Sequence, residues 1–90
     1  MKYVLFSFKH TRKNDDYLCF WRANNAGYTE CFDVVGIYEV IEDGYHNSET
    51  TKPIEMSVFQ SLQTEISDGC IKVLNNEKNL QIITDYEYRN

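Results

Sequence analysis

Tyr3, Leu5 and Ser7 fall on one side of an extended segment spanning residues 2–9, and Val4, Phe6 and Phe8 fall on the other. Apolar groups on both faces predict a strand in the middle of a sheet. The polar stretch from His10 to Asp16 is a loop of hairpin length, and Tyr17 to Arg22 predicts a second, antiparallel strand. Asn24-Asn25-Ala26-Gly27 reads as a turn, because Asn and Gly tolerate positive φ. Tyr28 to Phe32 then completes a three-stranded meander.

Beyond residue 32 the period changes. Val34, Ile37 and Val40-Ile41 recur at helical spacing behind Asp33, which predicts a short helix to about Asp43, stopped by Gly44. Gly36 and the β-branched content leave a fourth strand as the alternative. Tyr45 to Pro53 is rich in turn formers and reads as a loop. Met56, Phe59, Leu62 and Ile66 trace one stripe, predicting an amphipathic helix over about 56–67 that ends at Gly69. Cys70–Leu74 and Asn79–Thr84 read as strands around a turn at Asn75–Lys78, followed by a polar tail. The expected fold class is α+β: an antiparallel sheet of four or five strands with one or two packed helices. Met56, Phe59, Leu62 and Ile66 should share the core with Leu5, Phe20 and Ile82 or Ile83.

Composition adds bounds. Ninety residues, 42% apolar and 14% aromatic, make one folded domain, 1–90, near the small end of what buries its own core. Seven Tyr and five Phe exceed what so small a core hides. A homodimer built on a sheet edge or a Tyr-rich surface is therefore expected. The apolar run at the N-terminus is too short for a signal peptide or a membrane span. With three cysteines, an odd number, this predicts a cytoplasmic protein with reduced thiols and no membrane contact.

Charge is divided along the chain. Residues 1–30 hold five Lys/Arg against three Asp/Glu, and residues 31–90 hold four against eleven, for −5 overall. That balance weighs against nucleic acid as the partner. It leaves one local exception: Lys9, His10, Arg12 and Lys13 lie close to Trp21 and Arg22, and cations beside aromatics suit a single strand. The competing reading is a solvated loop neutralised by Asp15 and Asp16.

Catalytic and metal chemistry finds no pattern. Cys19, Cys31, Cys70, His10 and His46 have no pair at zinc-knuckle spacing, so no metal is expected. Asp15-Asp16 and Glu42-Asp43 read as solvated turn charges, and four scattered Gly build no phosphate loop. No catalytic residue, no enzyme activity and no cofactor are expected. The residues that remain are the polar turn and its surroundings: Arg12, Lys13, Trp21, Arg22, Asn24, Asn25 and Tyr28 as a binding set. Trp21 has two roles open to it, core filler with its N–H bonded at the turn or outward interface anchor with Arg22, Tyr17 and Tyr28, and the core role is favoured.

The string Phe20-Trp21-Arg22-Ala23-Asn24-Asn25-Ala26-Gly27-Tyr28-Thr29, with Gly36-Ile37-Tyr38 and Gly44-Tyr45-His46-Asn47-Ser48 after it, resembles small, largely uncharacterised bacteriophage and prophage accessory proteins. Ala23 stands where Pro is common in them. The resemblance spans roughly residues 4–60 and implies origin, bringing no catalytic residues. It implies a protein that binds and modulates a host protein, including inhibitors of CRISPR or restriction defences. Single-stranded nucleic-acid binding through residues 9–13 and Trp21, and an enzyme of unrecognised type, are the alternatives.

Overall fold

Strand β1 (Tyr3–Ser7) is buried at every position in the computed structural model, which describes residues 1–89. It is central, as its two-sided apolar pattern predicts: the sheet order is β3-β2-β1-β4, all antiparallel. β2 (Phe20–Trp21) and β3 (Tyr28–Thr29) form the meander, and β4 (Thr51–Glu55) lies along the other side of β1 with Leu5 opposite Pro53. Pro53 can sit here because β4 is an edge strand. Helix α1 (Met56–Gln60), the hairpin β5 (Thr64–Ser67) and β6 (Cys70–Val73), and helix α2 (Glu77–Asp85) follow. The fold is α+β.

Strand alternation divides the side chains of the sheet between two faces. Val4, Phe6, Phe20 and Ile54 join Leu18, Phe59, Leu62, Val73 and Ile83 in one buried cluster. Leu5 and Trp21, at 0% and 5% exposure, lie outside that cluster. Over Trp21 lie Tyr38, Tyr45 and His46 from the irregular chain between β3 and β4.

Several expected elements are corrected. The helix over 34–43 does not form, and neither does a fourth strand there. A short 3-10 turn at Phe32–Val34 gives way to isolated bridges, Arg22 with Val35 and Tyr3 with Tyr38. The loop expected over 45–53 ends early, because Thr51 to Pro53 belong to β4. The helix expected over 56–67 stops at Gln60, and residues 64–67 are extended. Ile66, placed in the core by periodicity, is 78% exposed. Asn79–Thr84 is helical: the Asn76 side chain accepts the Asn79 N–H at 2.8 Å and caps α2. The strand over 17–22 shortens to Phe20–Trp21, since Leu18 N–H donates to Val73 O at 2.9 Å and joins the hairpin.

The thiols are corrected too. Cys31 and Cys70 are disulfide-bonded with Cα atoms 5.7 Å apart, and Cys19 alone is a free, buried thiol. The bond draws the chain out of β3 at Thr29 and ties it to the hairpin, where Lys72 reaches Glu30 at 3.7 Å and Asp68 at 3.6 Å. Reduced thiols were the ground for a reducing compartment, and for two of the three that ground is gone. No helix is long and apolar enough to cross a membrane among the described residues.

Candidate interaction surface

The turn after β2 is built on left-handed backbone. Asn24 and Asn25 have φ of 59° and 56° and Gly27 has 105°, conformations Asn and Gly adopt at least strain. Arg22 N–H closes the turn on Gly27 O at 2.8 Å. The Tyr38 hydroxyl donates to Arg22 O and accepts the Asn25 N–H at 3.0 Å. Gly36 closes the seam: its N–H donates to Trp21 O at 2.8 Å. A Cβ there would meet the Ala23 nitrogen and lie 2.6 Å from the Arg22 carbonyl carbon.

Trp21 lies beneath this turn. Tyr28, Tyr38, Tyr45 and His46 meet it edge to face, with centroids 5.6, 6.5, 5.1 and 5.3 Å away. Such pairs add to the area they bury. Its indole N–H, expected to bond at the turn, has no hydrogen-bond partner among the described residues: the turn's groups bond to one another and to Tyr38 instead. Trp21 thus takes the core role, and stacking on a base or anchoring a partner is closed to it. His46, 4% exposed, links the turn to the segment beyond: its Nδ1 accepts the Glu42 N–H at 3.0 Å. The ring proton therefore sits on Nε2, which faces Asn25 Oδ1 at 2.8 Å. Burial pushes the His46 pKa below its usual 6.5.

The segment pinned in this way is open outward. Val34, Ile37, Val40 and Tyr45 are 43%, 50%, 79% and 49% exposed. Asp33, Glu39, Glu42 and Asp43, all exposed, stand among them. The turn residues Arg22 and Asn24 are exposed beside this segment, and the bridge between Arg22 and Val35 joins the two. Tyr28, 40% exposed, continues the surface and stacks on His10 with centroids 3.6 Å apart. Of the expected binding set, Arg22, Asn24, Asn25 and Tyr28 come together here. Tyr38, Tyr45 and His46, the residues that organise it, were absent from that set. Their signal was the pair of strings beginning at Gly36 and Gly44.

Arg12 and Lys13 line a hollow of about 130 Å³ together with Phe6, Phe8, Thr11, Asn75 and Leu80. Neither is ion-paired among the described residues; the ion pairs present involve Lys72 and Arg89. Asp15 accepts the Arg12 backbone N–H at 2.8 Å, so it organises the loop without neutralising the guanidinium. A second, wider hollow of about 390 Å³ lies on the other side of Phe8, where Lys52 Nζ donates to Ile83 O at 2.6 Å at the end of α2. Burial lowers the Lys52 pKa.

No three His, Cys, Asp or Glu side chains converge as a metal would require among the described residues. The Cys19 thiol is buried, and burial raises its pKa, with Glu30 adding to the rise. No family model, curated protein or solved structure matches the chain.

Proposed function

We propose that this chain is a phage-type accessory protein that binds a host protein and modulates it, in its sharpest form as an inhibitor of a bacterial defence system of the CRISPR or restriction kind. The observation that carries the reading is the surface formed by the turn after β2 and residues 33–45. There, exposed apolar side chains alternate with acids on a backbone pinned from beneath by Trp21, Tyr38 and His46. Irregular chain held in one shape gives up little freedom on binding, so more of its contact energy appears as affinity. The acids and the net charge of −5 suit a basic partner surface and speed encounter with it. The phage attribution rests on the resemblance around Trp21, and the host cytoplasm as place of action comes with it.

Capture of the tagged protein from host lysate, with and without nuclease, tests the reading. A protein partner retained after nuclease and lost on Val34→Lys with Ile37→Lys is the expected result. Tight oligonucleotide binding that falls steeply with salt and disappears in Arg12→Ala with Lys13→Ala would replace it with the nucleic-acid alternative. The burial of Trp21 weighs against that alternative, since the stacking platform it needs is closed.

A further inference from the structure

The hollow beside Phe8 and the segment around Val40 are complementary in size and charge, and we infer that two copies of this chain associate by seating Val40 of one copy against Phe8 of the other. This goes beyond the host-partner reading and does not depend on it. The hollow, about 130 Å³, falls well below the roughly 300–1,000 Å³ of small-molecule sites and is commensurate with one aliphatic side chain. Phe6, Phe8 and Leu80 form its apolar lining beside the polar Thr11 and Asn75, and Phe8 is 42% exposed although it packs on Phe6 at 4.7 Å. Its lining includes two cations, Arg12 and Lys13, without ion-pair partners among the described residues, on a domain whose net charge is −5.

An occupant must therefore offer a branched apolar side chain with carboxylates beside it. The sequence Glu39-Val40-Ile41-Glu42-Asp43 of this chain has that chemistry, and Val40 is 79% exposed, as far out as any large apolar side chain after Met1. Seating it buries the apolar side chain against Phe8 and brings Glu39, Glu42 and Asp43 toward Arg12 and Lys13. The backbone of the projecting segment is already shaped, by the His46 bond to Glu42 N–H and by Gly44 N–H donating to Asn47 O at 3.0 Å. Net repulsion between two acidic copies must be overcome locally, so charge on these two patches should dominate the association. Because Val40 belongs to the surface proposed for the host protein, self-association and host binding exclude one another.

Sedimentation across a wide concentration range tests the inference with the purified chain alone. Wild type should associate reversibly. Val40→Lys, and separately Arg12→Glu with Lys13→Glu, should each weaken self-association at least tenfold; all three side chains are exposed, so the fold should survive, which circular dichroism verifies. The decisive measurement mixes the two variants. Each lacks a different half of the contact, so the mixture should regain a one-to-one complex that neither forms alone. A monomer at every concentration, association unchanged by either variant, or a mixture that stays monomeric overturns the inference. So does association removed by nuclease, which would assign Arg12 and Lys13 to phosphate. None of these outcomes depends on the host lysate, so this inference and the host-protein reading can fail independently.

Discussion

The side-chain amide of Asn79 grips the backbone of Gln63 in both directions. Its Oδ1 accepts Gln63 N–H at 2.8 Å, and its Nδ2 donates to Gln63 O at 3.0 Å and to Leu74 O at 2.8 Å. The side chain is completely buried, so none of these groups can turn to water at the Asn79 end. This one amide holds both ends of the β5–β6 hairpin against α2.

Asn79→Ala should cost about 2 kcal/mol or more, because Gln63 N–H and Leu74 O lose a buried partner at about 1–3 kcal/mol each, while Gln63 O keeps the Leu74 N–H at 3.0 Å. Asn79→Asp, nearly the same shape, should be about as damaging: its second oxygen would face the carbonyls of Gln63 and Leu74. Urea unfolding checks this as a lowered midpoint with unchanged slope. An Asp variant as stable as wild type would contradict the hydrogen-bond assignment.

His46 should make stability depend on pH. Its folded pKa lies below the ordinary 6.5, so the unfolded chain takes up the proton first. Its contribution is complete above about 6.5 and declines as pH falls toward the lowered folded value. Protonation would also place a hydrogen on Nδ1, opposite the Glu42 N–H. Unfolding free energies of wild type and His46→Gln, compared from about pH 8 to about pH 5, should converge on the acid side. A difference independent of pH would show that His46 titrates alike in the folded and unfolded chain.

Reduction of the Cys31–Cys70 bond, 39 residues apart, should destabilise the fold by about 4 kcal/mol on the chain-entropy account. Cys31→Ser with Cys70→Ser should match the reduced wild type in denaturant midpoint. Thiol labelling of the protein in its cell would show which state it occupies there, since a reducing cytoplasm opposes such bonds.

Gly36→Ala should destabilise by about 1–3 kcal/mol, because the added carbon enters the backbone of Arg22 and Ala23. The strain falls on the turn roofing Trp21, so its fluorescence should shift to the red as water reaches the indole. An Ala variant with wild-type emission and stability would mean that the seam can open without loss.

The sequence was most legible where one local rule met no competitor. β1 has apolar groups on both faces and is central; Asn24, Asn25 and Gly27 sit at positive φ in the expected turn. It misled where periodicity was real but read in the wrong frame. Val34, Ile37 and Val40 do form a helical series, yet all three are exposed: the chain coils only through the short 3-10 turn at Phe32–Val34, and Gly36 beyond it is held flat on Ala23. Met56 and Phe59 occupy α1, but Asn79 captures Gln63 and turns the next residues into β5, carrying Ile66 outward. Short apolar runs such as Leu80 to Ile83 satisfy helix and strand alike, and the Asn76 cap decided for helix. Of the site, the turn was readable; its supports, Tyr38 and His46, lie 16 and 21 residues from the groups they hold and left only faint local signals.

The bond between Cys31 and Cys70 divides the chain into a closed ring and two arms. All of residues 33–45 belong to the ring, whereas Phe8, Arg12, Lys13 and Leu80 belong to the arms. A protease that cuts once inside the ring severs no piece from the molecule, so its exposed outward stretch can be nicked and still stay attached at both ends.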